Sequence, residues 1–220
     1  MTDAFADTLT RRIDALLQQA PVVPVLAVDD ADDAVPLAET LVAAGLPVLE
    51  ITLRTAAALE VIRRMRDVPG AIVGAGTVLT AADLAAVQDA GAAFAISPGA
   101  TDALYDAAKR AAIPLLPGIA TSSELMRGLE HGWQRFKFFP AEASGGIPAL
   151  KSFAGPFANV KFCPTGGIDA AKAPAYLALP NVLAVGGSWM VPNDALRARD
   201  WARIGDLARA AASLRDRRGG

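Results

Sequence analysis

The run Arg135-Phe136-Lys137-Phe138-Phe139-Pro140 sets one of the chain's five lysines among three phenylalanines. An ammonium in an apolar wall loses hydration, which favours its neutral form. A neutral amine attacks a ketone to give a Schiff base. Side chains alternate between faces along an extended run, so Lys137 and Phe139 share one face and Phe136 and Phe138 the other. The amine would then lie beside an aromatic wall able to hold a small methyl group. The competing interpretation is a lysine that snorkels from a sheet rim. Lys161 is the rival amine, but it precedes Pro164 by three residues and Gly166-Gly167 by five. That places it toward the start of its strand, at the stability end of an α/β sheet.

A second run, Val48-Leu49-Glu50-Ile51-Thr52-Leu53-Arg54, puts a carboxylate, a hydroxyl and a guanidinium on one face and three aliphatic side chains on the other. Burying such polar groups is costly unless they are paired or used, so an internal Glu50–Arg54 salt bridge remains an alternative to an active site. At ~3.3 Å per residue the two charges stand about 13 Å apart along the strand. Both reach one three-carbon unit only if Arg54 folds in from the rim.

Glycine marks the ends of several apolar runs. Pro164-Thr165-Gly166-Gly167 and Gly186-Gly187-Ser188 suit either a phosphate cradle of backbone N–H groups and a hydroxyl, or tight strand–helix turns. Gly74-Ala75-Gly76-Thr77, Ser97-Pro98-Gly99 and Pro117-Gly118 suggest an open mouth, with Thr77 offering a donor to a carboxylate. A lone Cys163 forms no internal disulfide, and a lone His131 builds no His-rich metal site. His131 follows Glu130 at a helix end and reads as a surface residue. No metal and no cofactor are expected.

These residues need a scaffold. Apolar, β-branched runs at Val22–Val28, Val48–Arg54, Ile72–Val78, Phe94–Ser97, Pro114–Leu116, Arg135–Phe139, Val160–Pro164 and Val182–Val185 read as strands. Helical stretches separate them, at Pro36–Ala44, Ala56–Arg66, Ala81–Ala90, Asp102–Ala111, Ser122–Glu130, Ile147–Phe153 and Asp169–Leu179. An extra amphipathic helix opens the chain near Asp7–Gln19, and Trp201–Leu214 closes it. Strands joined by helices pair in parallel. Eight such units predict an α/β fold, a (β/α)8 TIM barrel occupying residues 1–220 as one domain, with an open doubly wound sheet as the rival. The 53 % hydrophobic composition excludes disorder, and 21 basic against 23 acidic residues give no excess positive charge for nucleic acid. The acidic start lacks a signal-peptide pattern, and no apolar run approaches membrane-spanning length. A cytoplasmic setting is expected.

Several stretches resemble the class I 2-keto-3-deoxy-6-phosphogluconate (KDPG) aldolases. They are Leu49-Glu50-Ile51-Thr52-Leu53-Arg54-Thr55, Gly74-Ala75-Gly76-Thr77-Val78-Leu79, Ile96-Ser97-Pro98-Gly99, Phe136-Lys137-Phe138-Phe139-Pro140-Ala141-Glu142, Phe162-Cys163-Pro164-Thr165-Gly166-Gly167-Ile168 and Gly186-Gly187-Ser188-Trp189. The likeness runs from Pro21 to about Pro192. It implies a homotrimeric, metal-independent lyase of the Entner–Doudoroff route, often also active on 4-hydroxy-2-oxoglutarate. It makes Lys137 the Schiff-base lysine and Glu50 the acid/base carboxylate. It implies that Arg54 and Thr77 hold the pyruvyl carboxylate, that Pro98 and Phe139 shape the pocket, and that Gly166, Gly167, Gly186 and Ser188 bind phosphate. The implied partners are a phosphorylated 2-keto-3-deoxy sugar acid and pyruvate. Ala120 departs from the serine common in relatives, which bears on substrate breadth. The galactonate-specific aldolase, differing in stereochemistry at C4, is an alternative, as is a non-catalytic phosphate-binding barrel.

Overall fold

In the computed structural model of the chain, residues 2–214 are described, so the ends of the expected 1–220 domain, residue 1 and residues 215–220, lie outside them. Nine strand segments alternate with helices: β1 Val22–Leu26, β2 Val48–Thr52, β3 Ile72–Gly76, β4 Ala95–Ile96, β5 Leu115–Leu116, β6 Gly118–Ile119, β7 Arg135–Phe138, β8 Lys161–Pro164 and β9 Val185–Gly187. The helices are α1 Thr2–Leu17, α2 Ala34–Ala43, α3 Ala58–Met65, α4 Ala81–Asp89, α5 Asp102–Arg110, α6 Ser122–Glu130, α7 Gly146–Ala154, α8 Ala173–Leu177, α9 Asn193–Arg197 and α10 Trp201–Ala212.

Every named strand pair is parallel. Six strands form one sheet in the order β5-β4-β3-β2-β1-β9, and β6-β7-β8 form another. Isolated parallel bridges, Phe162↔Val182 and Thr165↔Gly186, link the β8 run to the segment around β9. The α/β class and parallel pairing match the sequence reading, but eight unbroken strands do not appear. The expected fifth strand, Pro114–Leu116, appears as β5, and an unexpected segment, β6, follows Pro117, which has no N–H to continue a ladder. Past it, Gly118 approaches the Pro98 carbonyl so closely that a Cβ would lie 2.2 Å from that oxygen.

Threonine side chains start three helices. Thr80, Thr101 and Thr121 cap α4, α5 and α6, and Thr80–Asp83 and Thr121–Glu124 are complete capping boxes. Helix α1 closes the amino-terminal ends of the strands, where Ile13, Leu16 and Leu17 meet Val23, Val48, Phe94 and Leu116. Asp14 of α1 receives Arg135 Nε and Nη2 at 2.5 and 2.8 Å. The opposite, carboxyl ends are left open, and they carry the polar residues singled out above.

Candidate active site

Lys137 on β7 and Glu50 on β2 are 6 % and 1 % exposed, and Lys137 Nζ donates to Glu50 Oε1 at 2.8 Å. The ammonium also lies 5.3 Å from the centroid of the Phe139 ring. Phe136 and Phe138 are fully buried on the other face, and Phe138 packs edge-on against Phe153 and Phe162. The alternation read from the sequence therefore holds, with one correction. The amine does not sit in a purely apolar wall, because a carboxylate 87 residues away in sequence faces it.

The Glu50–Arg54 salt bridge does not form. Strand β2 stops at Thr52, and Arg54 lies in the following turn, where its Nε donates to Thr52 Oγ1 at 3.1 Å. Arg54 makes no ion pair among the described residues. Thr52 Oγ1 in turn donates to the Leu26 carbonyl, so the hydroxyl is used structurally. Lys161 donates to the Pro180 carbonyl at the start of β8, remote from this pair. His131 is the C-cap of α6, yet its side chain is only 18 % exposed, since it stacks on Tyr105 at 4.6 Å. The helix-end position is as expected, and the side chain is partly covered there.

Glycine admits the buried carboxylate. A Cβ on Gly76 would lie 2.2 Å from Glu50 Oε1 and 2.7 Å from its Cγ, so only hydrogen leaves room there. The next residue, Thr77, has φ +62°, a left-handed conformation costly for a β-branched side chain. Such strain persists only where the surroundings impose it, here immediately past β3 at the open end. Pro98 follows β4 and faces Gly118, which is in register with Lys137.

Gly166 and Gly167, at φ +105° and +76°, turn the chain after β8. A Cβ on Gly166 would lie 3.4 Å from the Phe139 ring, so this turn borders the amine's aromatic neighbour. Gly186 lies beneath Thr165, whose Oγ1 would be 2.2 Å from a Cβ there. Arg54 and Ser188 share a polar cleft of about 220 Å³ with Val25, Leu26, Ala27, Val191, Asn193 and Leu196. The structure thus brings Lys137, Glu50, Phe139 and Gly166 together, and Arg54 with Ser188. No hydrogen bond or ion pair joins Arg54 or Thr77 to Lys137 or Glu50 among the described residues.

Two features escaped the sequence reading. Asn193 lines the cleft from α9, a five-residue helix too short for periodicity to reveal. Glu142 accepts Tyr176 Oη and pairs with Lys172 Nζ at 2.7 Å. Lys172 and then Tyr176 hold its carboxyl below the usual range, while burial and then Glu142 push the Tyr176 phenol up. Its only sequence signal was its place directly after Phe139-Pro140-Ala141. Among the described residues, no group of three or more His, Cys, Asp and Glu is arranged to hold a metal ion, and no helix is long and apolar enough to cross a membrane.

The family model "KDPG and KHG aldolase" matches residues 13–207. A KHG/KDPG aldolase from Escherichia coli K12 is 57 % identical over 199 residues, covering 90 % of this chain and 93 % of that protein. The solved 2-keto-3-deoxy-6-phosphogluconate aldolase of Zymomonas mobilis ZM4 with 3-phosphoglycerate is 53 % identical with a TM-score of 0.89, covering 93 % and 96 % of the two chains. The KDPG aldolase of Legionella pneumophila, with pyruvate captured as a covalent carbinolamine intermediate, is 49 % identical with a TM-score of 0.89, covering 91 % and 98 %. With a model spanning most of its length and relatives this similar, the chain belongs to the KDPG and KHG aldolase family.

Proposed function

We propose that this protein is a Schiff-base-forming lyase that cleaves 2-keto-3-deoxy-6-phosphogluconate to pyruvate and glyceraldehyde 3-phosphate, with Lys137 as the amine. The observation that carries this is the buried Lys137–Glu50 contact of 2.8 Å beside the Phe139 ring. An amine is nucleophilic only without its extra proton, and Glu50 Oε1 stands where that proton can go. Neutral Nζ attacks C2 of the keto acid, and Glu50 returns a proton as the carbinolamine loses water. The protonated imine draws electrons. Removal of the C4 hydroxyl proton breaks the C3–C4 bond, the aldehyde departs, and the bonding pair rests as an enamine. Protonation at C3 and hydrolysis release pyruvate and restore the amine. The iminium is itself the electrophile, so the route calls for no metal or organic cofactor.

Arg54 and Thr77 are assigned to the keto-acid carboxylate, Pro98 and Phe139 to the walls, and Gly166, Gly167, Gly186 and Ser188 to the phosphoryl group. Cleavage of 4-hydroxy-2-oxoglutarate to pyruvate and glyoxylate uses the same amine and needs no phosphate end. The gluconate-derived substrate is preferred to its galactonate epimer because relatives at about half identity carry its name.

The site also implies closure of the scaffold into one (β/α)8 barrel of a single domain. Three observations support this: the Phe162↔Val182 and Thr165↔Gly186 bridges, the adjacency of β5 and β6 across Pro117, and the Lys137 N–H donating to the Pro117 carbonyl at 2.9 Å. A cytoplasmic homotrimer completes the reading, and sedimentation equilibrium tests its mass.

Borohydride reduction in the presence of pyruvate tests the central claim. A reduced pyruvyl adduct is expected on the peptide containing Lys137 and is expected to vanish in Lys137→Met. Labelling at Lys161, or none at all, overturns the assignment, and absence of labelling with phosphate binding retained favours a non-catalytic barrel.

A further inference from the structure

Behind the Gly166-Gly167 turn lies a clamp that the proposed reaction does not use. The Ala141 N–H donates to the Thr165 carbonyl at 2.8 Å, and the Glu142 N–H to the Gly166 carbonyl at 3.1 Å. These bonds carry the β7–β8 pairing beyond the strand ends. Lys172 Nζ adds a third, donating to the Gly167 carbonyl at 3.0 Å. Three successive carbonyls of the turn are thereby held from one side.

In a trans peptide the N–H points opposite to the C=O of the same unit. Fixing the Gly166 carbonyl therefore aims the Gly167 N–H the other way, and fixing the Gly167 carbonyl does the same for Ile168. Neither of these amides donates a hydrogen bond among the described residues. Two adjacent glycines at positive φ have many alternative conformations open to them, so an unclamped turn would scatter its donors.

The Glu142 carboxylate organises the clamp. One oxygen accepts Tyr176 Oη, and the other pairs with Lys172, the residue that holds the Gly167 carbonyl. A Cβ on Gly167 would lie 2.8 Å from both Cβ and Cγ of Glu142, so the turn rests directly on that side chain. We propose that Glu142, acting through Lys172 and Tyr176, is a positioning residue that presets the Gly167 and Ile168 amides for the phosphoryl group. It thereby sets the preference for phosphorylated over non-phosphorylated substrates. This deepens the functional reading above and rests on its placing of phosphate at this turn.

Glu142→Gln keeps the side chain's size and removes its charge. It is expected to raise KM for 2-keto-3-deoxy-6-phosphogluconate about tenfold, since modest misplacement of binding groups costs that or more. Little change is expected in kcat, in 4-hydroxy-2-oxoglutarate cleavage or in pyruvate trapping on Lys137. Lys172→Met should follow it, Lys172→Arg should restore most of the loss, and Tyr176→Phe should give a smaller shift of the same kind. Equal losses on both substrates, or no change, overturn the proposal by reducing Glu142 to a structural or idle group. Tighter phosphate binding in Glu142→Gln also overturns it, because a freed Lys172 would then be the contact. Calorimetric titration with glycerol 3-phosphate judges the clamp separately from the chemistry. If the native protein neither cleaves the sugar acid nor takes pyruvate, the functional reading fails. The positioning role then stands on tenfold weaker glycerol 3-phosphate binding in the variants, and it falls if the native protein does not bind that probe.

Discussion

At the scale of residues, the proposed chemistry converges on the buried Lys137–Glu50 pair and the glycine that makes room for the carboxylate. Under the proposed reaction Glu50→Gln leaves the packing intact and removes the proton acceptor. Turnover is expected to fall ~10²–10⁴-fold, read by coupled assay of pyruvate. A change confined to thermal stability would mean that the pair is only structural. Gly76→Ala forces a methyl into the space of Glu50 Oε1 and Cγ. A stability loss of about 1–3 kcal/mol, measured by urea titration, is expected with a parallel loss of activity. Lys137 was legible because few side chains are as conspicuous as an amine among phenylalanines, and Glu50 because alternation set it apart from its aliphatic neighbours. Their contact was not legible. Nothing local links positions 87 apart, so only the family resemblance joined the two, and the alternative Glu50–Arg54 bridge is excluded because β2 ends before Arg54.

At the scale of elements, strands and helices followed hydrophobic period and capping chemistry closely. Thr80, Thr101 and Thr121 each precede a helix whose start was read within a residue of its place. The failures have physical causes. The two-residue segment β6 beyond Pro117 is too short to show a period of two, and α9 is too short to display a helical period. The role of α1 was likewise hidden, because an amphipathic pattern says that a face is buried and not against what. Asp14 and Arg135 are 24 % and 11 % exposed and tie α1 to the first residue of β7. Asp14→Ala is expected to cost about 2 kcal/mol in denaturant unfolding by leaving Arg135 unpaired, with kcat unchanged because the pair lies at the closed end.

At the scale of the whole molecule, several protonated groups are held inside the fold. Burial pushes the Cys163 thiol up from 9.0 to about 12, and burial also raises the phenols of Tyr105 and Tyr176. A group whose pKa is higher when folded keeps its proton in the native state after the unfolded chain has lost it. Its contribution is complete below about pH 9 and is lost as pH climbs toward 12. The melting temperature is therefore expected to hold through neutrality and to fall steeply above about pH 9. In Cys163→Ala the fall should be shallower, and native Cys163 should resist iodoacetamide until the protein unfolds. An unchanged alkaline limb in that variant would show that the phenols alone govern it.

Lys137, the amine of the proposed reaction, lies deep in the strand layer, whereas Arg54, Ser188 and Asn193 lie on segments beyond the strand ends. Aldol reactions are reversible, so a protein of this design run toward carbon–carbon bond formation would hold pyruvate as the donor within the rigid layer and meet its acceptor aldehyde at the loops. Broadening the range of acceptors for synthesis is then a task for loop redesign, one that leaves the donor half and its acid–base partner untouched.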